Sequence, residues 1–224
     1  MNVLLFGATG MVGQGALREC LLDPGVGRVV AVGRRATGQQ HEKLRDLVVR
    51  DIGDLSAVEG QLAGFDTCIF AVGVTSAGMD EADYTRLTYD LTLAVAGTLA
   101  RLNPAMTFIY VSGTGADSSE QGRVMWARVR GKTENALMKM PFEAVYIFRP
   151  AVIIALHGIT SSTRMYRVLY AVLRPLLPVL KRVIPSKVTT TEQMGRALLA
   201  VARRGYPTPI LESRDIIVVA TGAG

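Results

Sequence analysis

The sequence predicts an α/β fold built on a doubly wound parallel sheet. Short apolar runs alternate with stretches of helical periodicity over the first 150 of the 224 residues. Strands that alternate with helices form right-handed βαβ units and therefore a parallel sheet. The runs carry few polar residues, as expected for strands buried on both faces. The strands predicted in this way are Val3–Phe6, Val29–Val32, Leu47–Val49, Thr67–Val72, Thr107–Val111 and Ala144–Phe148.

Helical patterns occupy the intervals near residues 11–22, 81–101 and 123–139. In the second interval, apolar side chains recur three and four residues apart, which is the spacing of an amphipathic helix face. Tyr84 belongs to this stripe, so we interpret it and the nearby Tyr89 as packing residues.

Beyond residue 150 the alternation weakens. A Pro-interrupted helical region is predicted over 160–182, and a further helix over Met194–Arg203. The expected caps of this last helix are Thr190 or Thr191 at its N-terminus and Gly205 at its C-terminus.

The net charge of +6 is concentrated at the C-terminal end. Residues 1–159 carry 15 Lys and Arg against 16 Asp and Glu, whereas residues 160–224 carry 10 against 3. This distribution argues against a nucleic-acid surface spread over the domain, and no nucleic-acid partner is expected. The basic, Leu- and Val-rich stretch 160–187 fits three alternatives that stay open here: an acidic substrate, a peripheral contact with an anionic membrane, or a solvated face.

No targeting segment or membrane span is evident. The N-terminus runs directly into an apolar strand, without the basic region and cleavage site of a signal peptide. The apolar stretch 168–180 is shorter than the ~20 residues of a spanning helix, and one arginine and two prolines interrupt it. Two cysteines are too few for a disulfide framework or a metal cluster, so no metal site is predicted. The sequence therefore predicts a cytoplasmic protein, monomeric or homodimeric, whose only membrane contact would be peripheral.

The most specific motif is a glycine-rich loop that joins the first strand to the first helix, Gly7-Ala-Thr-Gly-Met-Val-Gly13. In such a loop the first glycine permits a tight turn, the second lets the backbone approach a pyrophosphate, and the third lets the helix pack on the strand. Free amides at the helix N-terminus then face the phosphate charge. The loop predicts a Rossmann-type dinucleotide-binding domain, with cofactor contacts from Gly7, Thr9, Gly10, Met11, Val12 and Gly13.

The end of the second strand favours NADP over NAD. An acidic residue there would bind the ribose 2′-hydroxyl of NAD, but the strand ends in Gly33-Arg34-Arg35. A guanidinium is always charged and binds phosphate bidentately. Arg34 and Arg35 are therefore expected to bind the 2′-phosphate of NADP.

The ends of the third and fourth strands supply further candidate cofactor contacts. Asp51-Ile52 follows the third strand, where an acidic residue is placed to reach the adenine amino group. Ala71-Val72-Gly73 ends the fourth strand, where a small backbone lets the cofactor ribose pass close by.

These motifs, together with Asp54 and the run Tyr110-Val-Ser-Gly-Thr-Gly-Ala-Asp117, resemble the atypical short-chain dehydrogenase/reductase superfamily. The similarity is to its NAD(P)H-binding, epimerase/dehydratase-like group, which includes the Tat-interacting oxidoreductase-like proteins, and it covers nearly the whole chain. The resemblance implies that a Ser or Thr after the fifth strand orients a carbonyl, and that a Tyr with a Lys four residues later passes the proton. Ser112 and Thr114 match the first position, although as strand-end hydroxyls they could instead satisfy only backbone groups. The resemblance also places Arg149-Pro150, after the sixth strand, beside the nicotinamide.

The helix near 123–139 contains no tyrosine. Its alignment with the Tyr and Lys positions has two registers, Trp126 with Arg130 or Arg128 with Lys132. Rotation by ~100° per residue places Trp126 within the apolar arc and Arg130 at its edge, whereas Arg128 lies outside it, so we favour the first register. An indole donates a hydrogen bond but does not ionise usefully, and arginine stays protonated. Arg130 is expected to hold ribose hydroxyls or a phosphate.

Two functions remain open on this evidence. The first is an NADP(H)-dependent oxidoreductase or epimerase-like enzyme that acts on a small carbonyl or hydroxyl substrate, with Ser112, Thr114, Trp126 and Arg130 at the reacting centre. The second is a non-catalytic NADP(H)-binding sensor or regulatory protein. In both, residues 1–150 form the cofactor-binding core of one domain, and residues 151–224 form a small helical lobe on the substrate side.

Overall fold

A seven-stranded, entirely parallel sheet forms the centre of the computed structural model, which describes residues 1–159 and 184–222. All six predicted strands are present, and the α/β fold class is confirmed. In chain order, the nine strands β1 to β9 are Asn2–Phe6, Arg28–Gly33, Leu44–Val48, Thr67–Phe70, Thr107–Val111, Ala144–Arg149, Val152–Ile154, Val188–Thr190 and Ile210–Glu212.

The strand order of the main sheet is β3-β2-β1-β4-β5-β6-β9, while β7 and β8 form a separate parallel pair. The chain first builds outward from β1 through β2 to β3, and it then returns to the other side of β1 with β4. The carboxyl ends of β1 and β4 therefore flank the point at which the order reverses. Open α/β sheets bind their ligands in the crevice at such a point.

Helices cover both faces of the sheet. Helices α1 to α6 span Met11–Leu22, Glu81–Thr85, Leu91–Leu102, Met125–Leu137, Thr191–Arg204 and Ser213–Thr221. A π-helical turn, Arg86–Asp90, joins α2 to α3 and completes the helix expected over 81–101. Short 3₁₀ helices span Ser56–Gln61 and Pro185–Lys187. The helical region predicted over 160–182, and most of the membrane contact predicted over 160–187, lie outside the described residues.

The alternation of side chains along β1 divides the core into two layers. Val3 and Leu5 point to the face covered by α1 and α5, where Leu198 is buried. Leu4 and Phe6 point to the face covered by α3. On that second face, ring centroids lie 5.6 Å apart between Phe6 and Phe70 and 6.0 Å apart between Phe70 and Phe108. Within the two described ranges, every helix is too short or too polar to span a bilayer.

Five strands depart from the sequence prediction, which contains neither β7 nor β8. β3 runs over Leu44–Val48 rather than 47–49, because this edge strand alternates polar residues with apolar ones and only its end reads as an apolar run. β4 stops at Phe70, which leaves residues 71–73 as irregular backbone at the sheet edge. β9 was not predicted, since three residues are too few for a periodicity signal, yet it pairs with β6 and completes the sheet.

The N-terminus of α5 carries the cap that the sequence predicts. Thr190 Oγ1 accepts a hydrogen bond from the Gln193 amide at 3.1 Å, and Gln193 Oε1 accepts one from the Thr190 amide at 3.0 Å. Replacing Thr190 by Ala should lower the free energy of unfolding by about 1 kcal/mol, because a capped amide loses its partner. Urea denaturation of Thr190→Ala beside Thr190→Ser measures this loss. Equal losses in the two variants would show that the hydroxyl contributes nothing.

Candidate dinucleotide-binding cleft

Two adjoining cavities form one cleft along the carboxyl edge of the sheet. The β2-side cavity, about 620 Å³, lies between the glycine-rich loop and the end of β2. The β5-side cavity, about 550 Å³, lies between the ends of β4 and β5 and the N-terminal part of α4. Residues that line both cavities are Gly10, Ala71, Val72 and Gly73. The cleft therefore passes over the irregular backbone that follows β4.

The glycine-rich loop is shaped for a ligand at the start of α1. Gly7 has φ +81°, and a Cβ there would lie 2.5 Å from the carbonyl oxygen of Ala71. A Cβ on Gly13 would lie 2.0 Å from the carbonyl oxygen of Gly7. Gly10 is the N-cap of α1, no side chain caps the helix, and its first turn contains no acidic residue. The first amides of a helix have no acceptor within the helix, so this end presents uncapped N–H groups to the cleft.

The remaining loop residues divide between the two cavities. Thr9 lies in the lining of the β2-side cavity, and its carbonyl oxygen accepts a hydrogen bond from Gln14 Nε2 at 3.0 Å. Met11 and Val12 begin α1 and line the β5-side cavity.

Two exposed arginines line the β2-side cavity at the end of β2. Among the described residues, Arg34 and Arg35 make no ion pair, and no acidic side chain lines this cavity. Asp46 of the neighbouring strand β3 accepts hydrogen bonds from both the amide and the hydroxyl of Thr37, at 3.0 Å each. That contact anchors the loop that carries the two arginines.

Only one of the two residues expected after β3 lines the cleft. Ile52 is buried and forms part of the β2-side cavity. Asp51 is exposed and lies outside that lining, because its Oδ1 accepts a hydrogen bond from the Gly53 amide at 2.9 Å. Asp54 accepts hydrogen bonds from the hydroxyl and the amide of Ser56, which lower the pKa of its carboxyl. The structure thus gives both carboxylates a role within their own turn.

The two alternative registers of α4 place different residue pairs at the cleft, and the structure distinguishes them. Trp126 and Arg130 line the β5-side cavity. Arg128 instead pairs with Glu81 at 2.6 Å, and Lys132 Nζ lies 4.5 Å from the ring centroid of Tyr89. The structure therefore brings the favoured pair into the cleft and leaves the other pair outside its lining.

Tyr84, interpreted from the sequence as a packing residue, lines the same cavity. Its phenol oxygen accepts a hydrogen bond from Arg130 Nε at 3.0 Å. Burial alone would lower the pKa of Arg130, but the oxygens of Tyr110 and Tyr84 and the charge of Glu134 outweigh it and raise that pKa. Tyr84 is 1% exposed, so its ring packs in the core, and its hydroxyl contacts Arg130 of the cavity lining. The apolar periodicity contained no signal for this second role.

The strand-end hydroxyls are engaged by neighbours. Ser112 donates a hydrogen bond to the fully buried carboxylate of Glu134, and Thr114 donates one to the carbonyl oxygen of Arg149 at 2.9 Å. Both residues line the β5-side cavity. Either hydroxyl would have to break its present hydrogen bond before it could donate one to a substrate carbonyl.

Arg149 does not line the cleft as expected, whereas Pro150 does. The Nε atom of Arg149 donates to both carboxylate oxygens of Glu134, at 3.2 and 3.1 Å, and Nη2 contacts the same carboxylate. A further hydrogen bond joins Nη2 to Ser118 Oγ at 2.7 Å. A buried carboxylate needs a cation, and Arg149 meets this need instead of lining the cleft.

Comparison with known proteins identifies similar sequences and folds. Residues 3–206 match the model of the NAD dependent epimerase/dehydratase family. The protein named "Protein fmp52, mitochondrial" from Emericella nidulans is 31% identical over 159 residues, which cover 68% of this chain and 66% of that protein. The protein named "Protein FMP52, mitochondrial" from Eremothecium gossypii is 30% identical over 156 residues, which cover 69% of this chain and 67% of that protein.

Solved structures share the fold at low sequence identity. The Bordetella bronchiseptica enzyme WbmF in complex with NAD+ superimposes with a TM-score of 0.66 at 17% identity, covering 98% of this chain and 76% of WbmF. UDP-glucose 4-epimerase from Thermotoga maritima, with UDP-glucose, gives 0.67 at 14% identity, covering 95% of this chain and 76% of the epimerase.

The names of the fungal relatives correct one prediction. The sequence analysis predicts a cytoplasmic location, but relatives at about 30% identity are named as mitochondrial proteins. The prediction of a cytoplasmic protein is therefore wrong.

Proposed function

The chain belongs to the NAD-dependent epimerase/dehydratase family, and from that premise we propose that it is an NADP(H)-dependent oxidoreductase or epimerase-like enzyme acting on a small carbonyl or hydroxyl substrate. One observation carries the proposal. A single cleft joins an uncapped helix N-terminus and two unpaired arginines, at one end, to a cavity with a tyrosine–arginine pair at the other.

The residues of the cleft fit a dinucleotide. The N-terminus of α1 offers amides to a pyrophosphate, and the glycines at positions 7 and 13 let the loop pack tightly on the backbone of Ala71 and of Gly7 itself. Small residues at Ala71 and Gly73 let a ribose lie against the backbone. Trp126 adds an apolar surface to the lining of the β5-side cavity. A bound nicotinamide nucleotide supplies the hydride, and the chain supplies position and electrostatics.

The charge at the end of β2 supports NADP. Arg34 and Arg35 line the β2-side cavity without an acidic partner among the described residues, so a ribose 2′-hydroxyl finds no carboxylate there while a 2′-phosphate finds two guanidinium groups. Because the same site would repel no part of NAD, we expect both nucleotides to bind, with NADP(H) bound more tightly than NAD(H).

Replacing Arg34 by Ala should weaken NADPH binding by roughly 10- to 100-fold and change NADH binding by less than about twofold. The reason is the loss of a charge-assisted hydrogen bond that only the 2′-phosphate makes. Titration of nicotinamide fluorescence measures both dissociation constants. Arg50→Ala is the matched control, because Arg50 is also exposed but lies outside the cleft lining. Equal losses for the two nucleotides would refute the 2′-phosphate assignment.

The same titration decides whether the cleft binds a cofactor at all. Absence of binding for both NADPH and NADH would remove the proposed function. Binding without oxidation of NADPH across a panel of aldehydes and ketones would instead favour the alternative of a non-catalytic NADP(H) sensor.

A further inference from the structure

Few titratable side chains line the β5-side cavity. Among the described residues that line it, only Tyr84 and Arg130 have titratable side chains. The hydroxyl protons of Ser112 and Thr114 are donated to Glu134 and to the carbonyl oxygen of Arg149. A reduction that ends in an alcohol needs a proton donor, and arginine cannot serve because it stays protonated.

The hydroxyl of Tyr84 is placed to donate. It accepts a hydrogen bond from Arg130 Nε at 3.0 Å, and a guanidinium has no acceptor atom, so the phenol proton is not used in that contact. No described residue accepts this proton. Tyr84 lines the β5-side cavity, and its oxygen contacts Arg130, which lines the same cavity, so the phenol proton is available at this part of the lining.

Arg130 holds the phenol at the strand ends. A Cβ built on Gly113, after β5, would lie 3.2 Å from Arg130 Nη1, and one built on Gly73, after β4, would lie 4.0 Å from Nη2. The guanidinium thus lies between the ends of two central strands, where the crevice of an open α/β sheet receives its ligand. The Tyr84–Arg130 pair is formed by two different helices, α2 and α4.

We propose that Tyr84 is the proton donor of the reaction, and that Arg130 positions it. This inference rests on the proposed function. In the reducing direction the carbonyl carbon gains a hydride from the reduced nicotinamide nucleotide, and the electron pair of the C=O π bond moves to oxygen. That oxygen takes the proton of Tyr84, so the O–H bond of the phenol breaks and the O–H bond of the alcohol forms. Solvent then returns a proton to the phenolate.

Arg130 acts on Tyr84 and not on the substrate. Its Nε–H bond to the phenol oxygen persists when that oxygen becomes an anion, and a charged donor strengthens it. In the oxidising direction the phenolate accepts the proton of the alcohol. The replacement of the expected tyrosine by Trp126 therefore leaves the cavity with a phenol, supplied from another helix.

Tyr84→Phe tests the inference, because it removes the hydroxyl and keeps the ring. For the reduction of 4-nitrobenzaldehyde, diacetyl and cyclohexanone by NADPH, we expect kcat/KM to fall by roughly 100-fold or more. NADPH affinity should stay within about twofold. Tyr89→Phe is the matched control, since Tyr89 belongs to the same helical segment but packs under Lys132 outside the cavity, and it should retain the wild-type values.

A binding measurement separates proton donation from a structural role. 4-Nitrobenzamide presents a carbonyl oxygen that accepts a hydrogen bond and is not reduced by hydride. Its affinity for the NADPH complex should fall roughly two- to tenfold in Tyr84→Phe and remain unchanged in Tyr89→Phe. Urea denaturation of both variants reports whether the fold is intact.

Each further outcome counts against a specific statement. A wild-type protein that reduces these carbonyl compounds, with Tyr84→Phe equally fast, overturns the role of Tyr84 and leaves the proposed function standing. A variant that loses NADPH affinity by the same factor as its rate also overturns it, because Tyr84 would then only shape the site. A wild-type protein that binds NADPH but reduces none of the compounds overturns the proposed function and removes this inference with it.

Discussion

Replacing Glu134 by Ala should lower the free energy of unfolding by roughly 3 kcal/mol. The carboxylate is fully buried, and it accepts hydrogen bonds from Ser112 and from the guanidinium of Arg149, whose side chain is 11% exposed. Without it, Arg149 becomes a largely buried cation that retains only Ser118 and a longer contact of 3.5 Å with Glu212. The loss of one partner leaves the other uncompensated, and this accounts for the size of the effect.

Two further variants serve as comparisons for Glu134→Ala, with the free energy of unfolding measured by urea denaturation. Glu134→Gln keeps the shape and an acceptor for Ser112 but removes the charge, so we expect a loss of roughly 1.5 kcal/mol. Glu81→Ala breaks the pair with Arg128 on the surface, where Glu81 is 52% exposed, and should cost less than about 1 kcal/mol. If Glu134→Ala costs no more than Glu81→Ala, the buried network does not stabilise the fold as described.

Replacing Gly10 by Ala should weaken NADPH binding by roughly 10- to 100-fold while it changes the stability by less than about 1 kcal/mol. Gly10 has φ −79°, so alanine is not strained there, and its Cβ would come no closer to described atoms than 3.3 Å, from the carbonyl oxygen of Gly7. The methyl group would nevertheless occupy the approach to the uncapped amides of α1.

Gly60→Ala is the control for this prediction. A Cβ at Gly60 meets nothing within 4 Å, and the residue lines neither cavity of the cleft. It should bind NADPH as the wild type does. Unchanged NADPH affinity in Gly10→Ala would show that no phosphate approaches this loop.

Local patterns were sufficient to predict the frame of the cleft. The glycine-rich loop, the six predicted strands and the arginines after β2 each depend on residues near one another in sequence, and the structure contains all of them, with shifted bounds for β3 and β4. The irregular backbone at Ala71–Gly73 was not predicted, because the apolar run continues through Val72.

The side-chain contacts that the sequence does not predict depend on how elements far apart in the chain pack together. Ser112 and Arg149 stand at strand ends, where a role at the reacting centre is expected, but Glu134 on α4 engages both. That contact is decided by the rotation of α4 against the sheet. The position of Tyr84 likewise depends on the packing of α2 against α4, for which an apolar stripe gives no information.

The π-helical turn Arg86–Asp90 directly follows α2, the helix that carries Tyr84 and its contact with Arg130. A π turn closes over i→i+5 instead of i→i+4, so it contains one residue that a regular helix would lack. Deleting one residue here would let the α-helical ladder run on and would rotate α2 by about 100° against α3. Among relatives, the length of this turn should vary together with the presence of a tyrosine at either of the two helices.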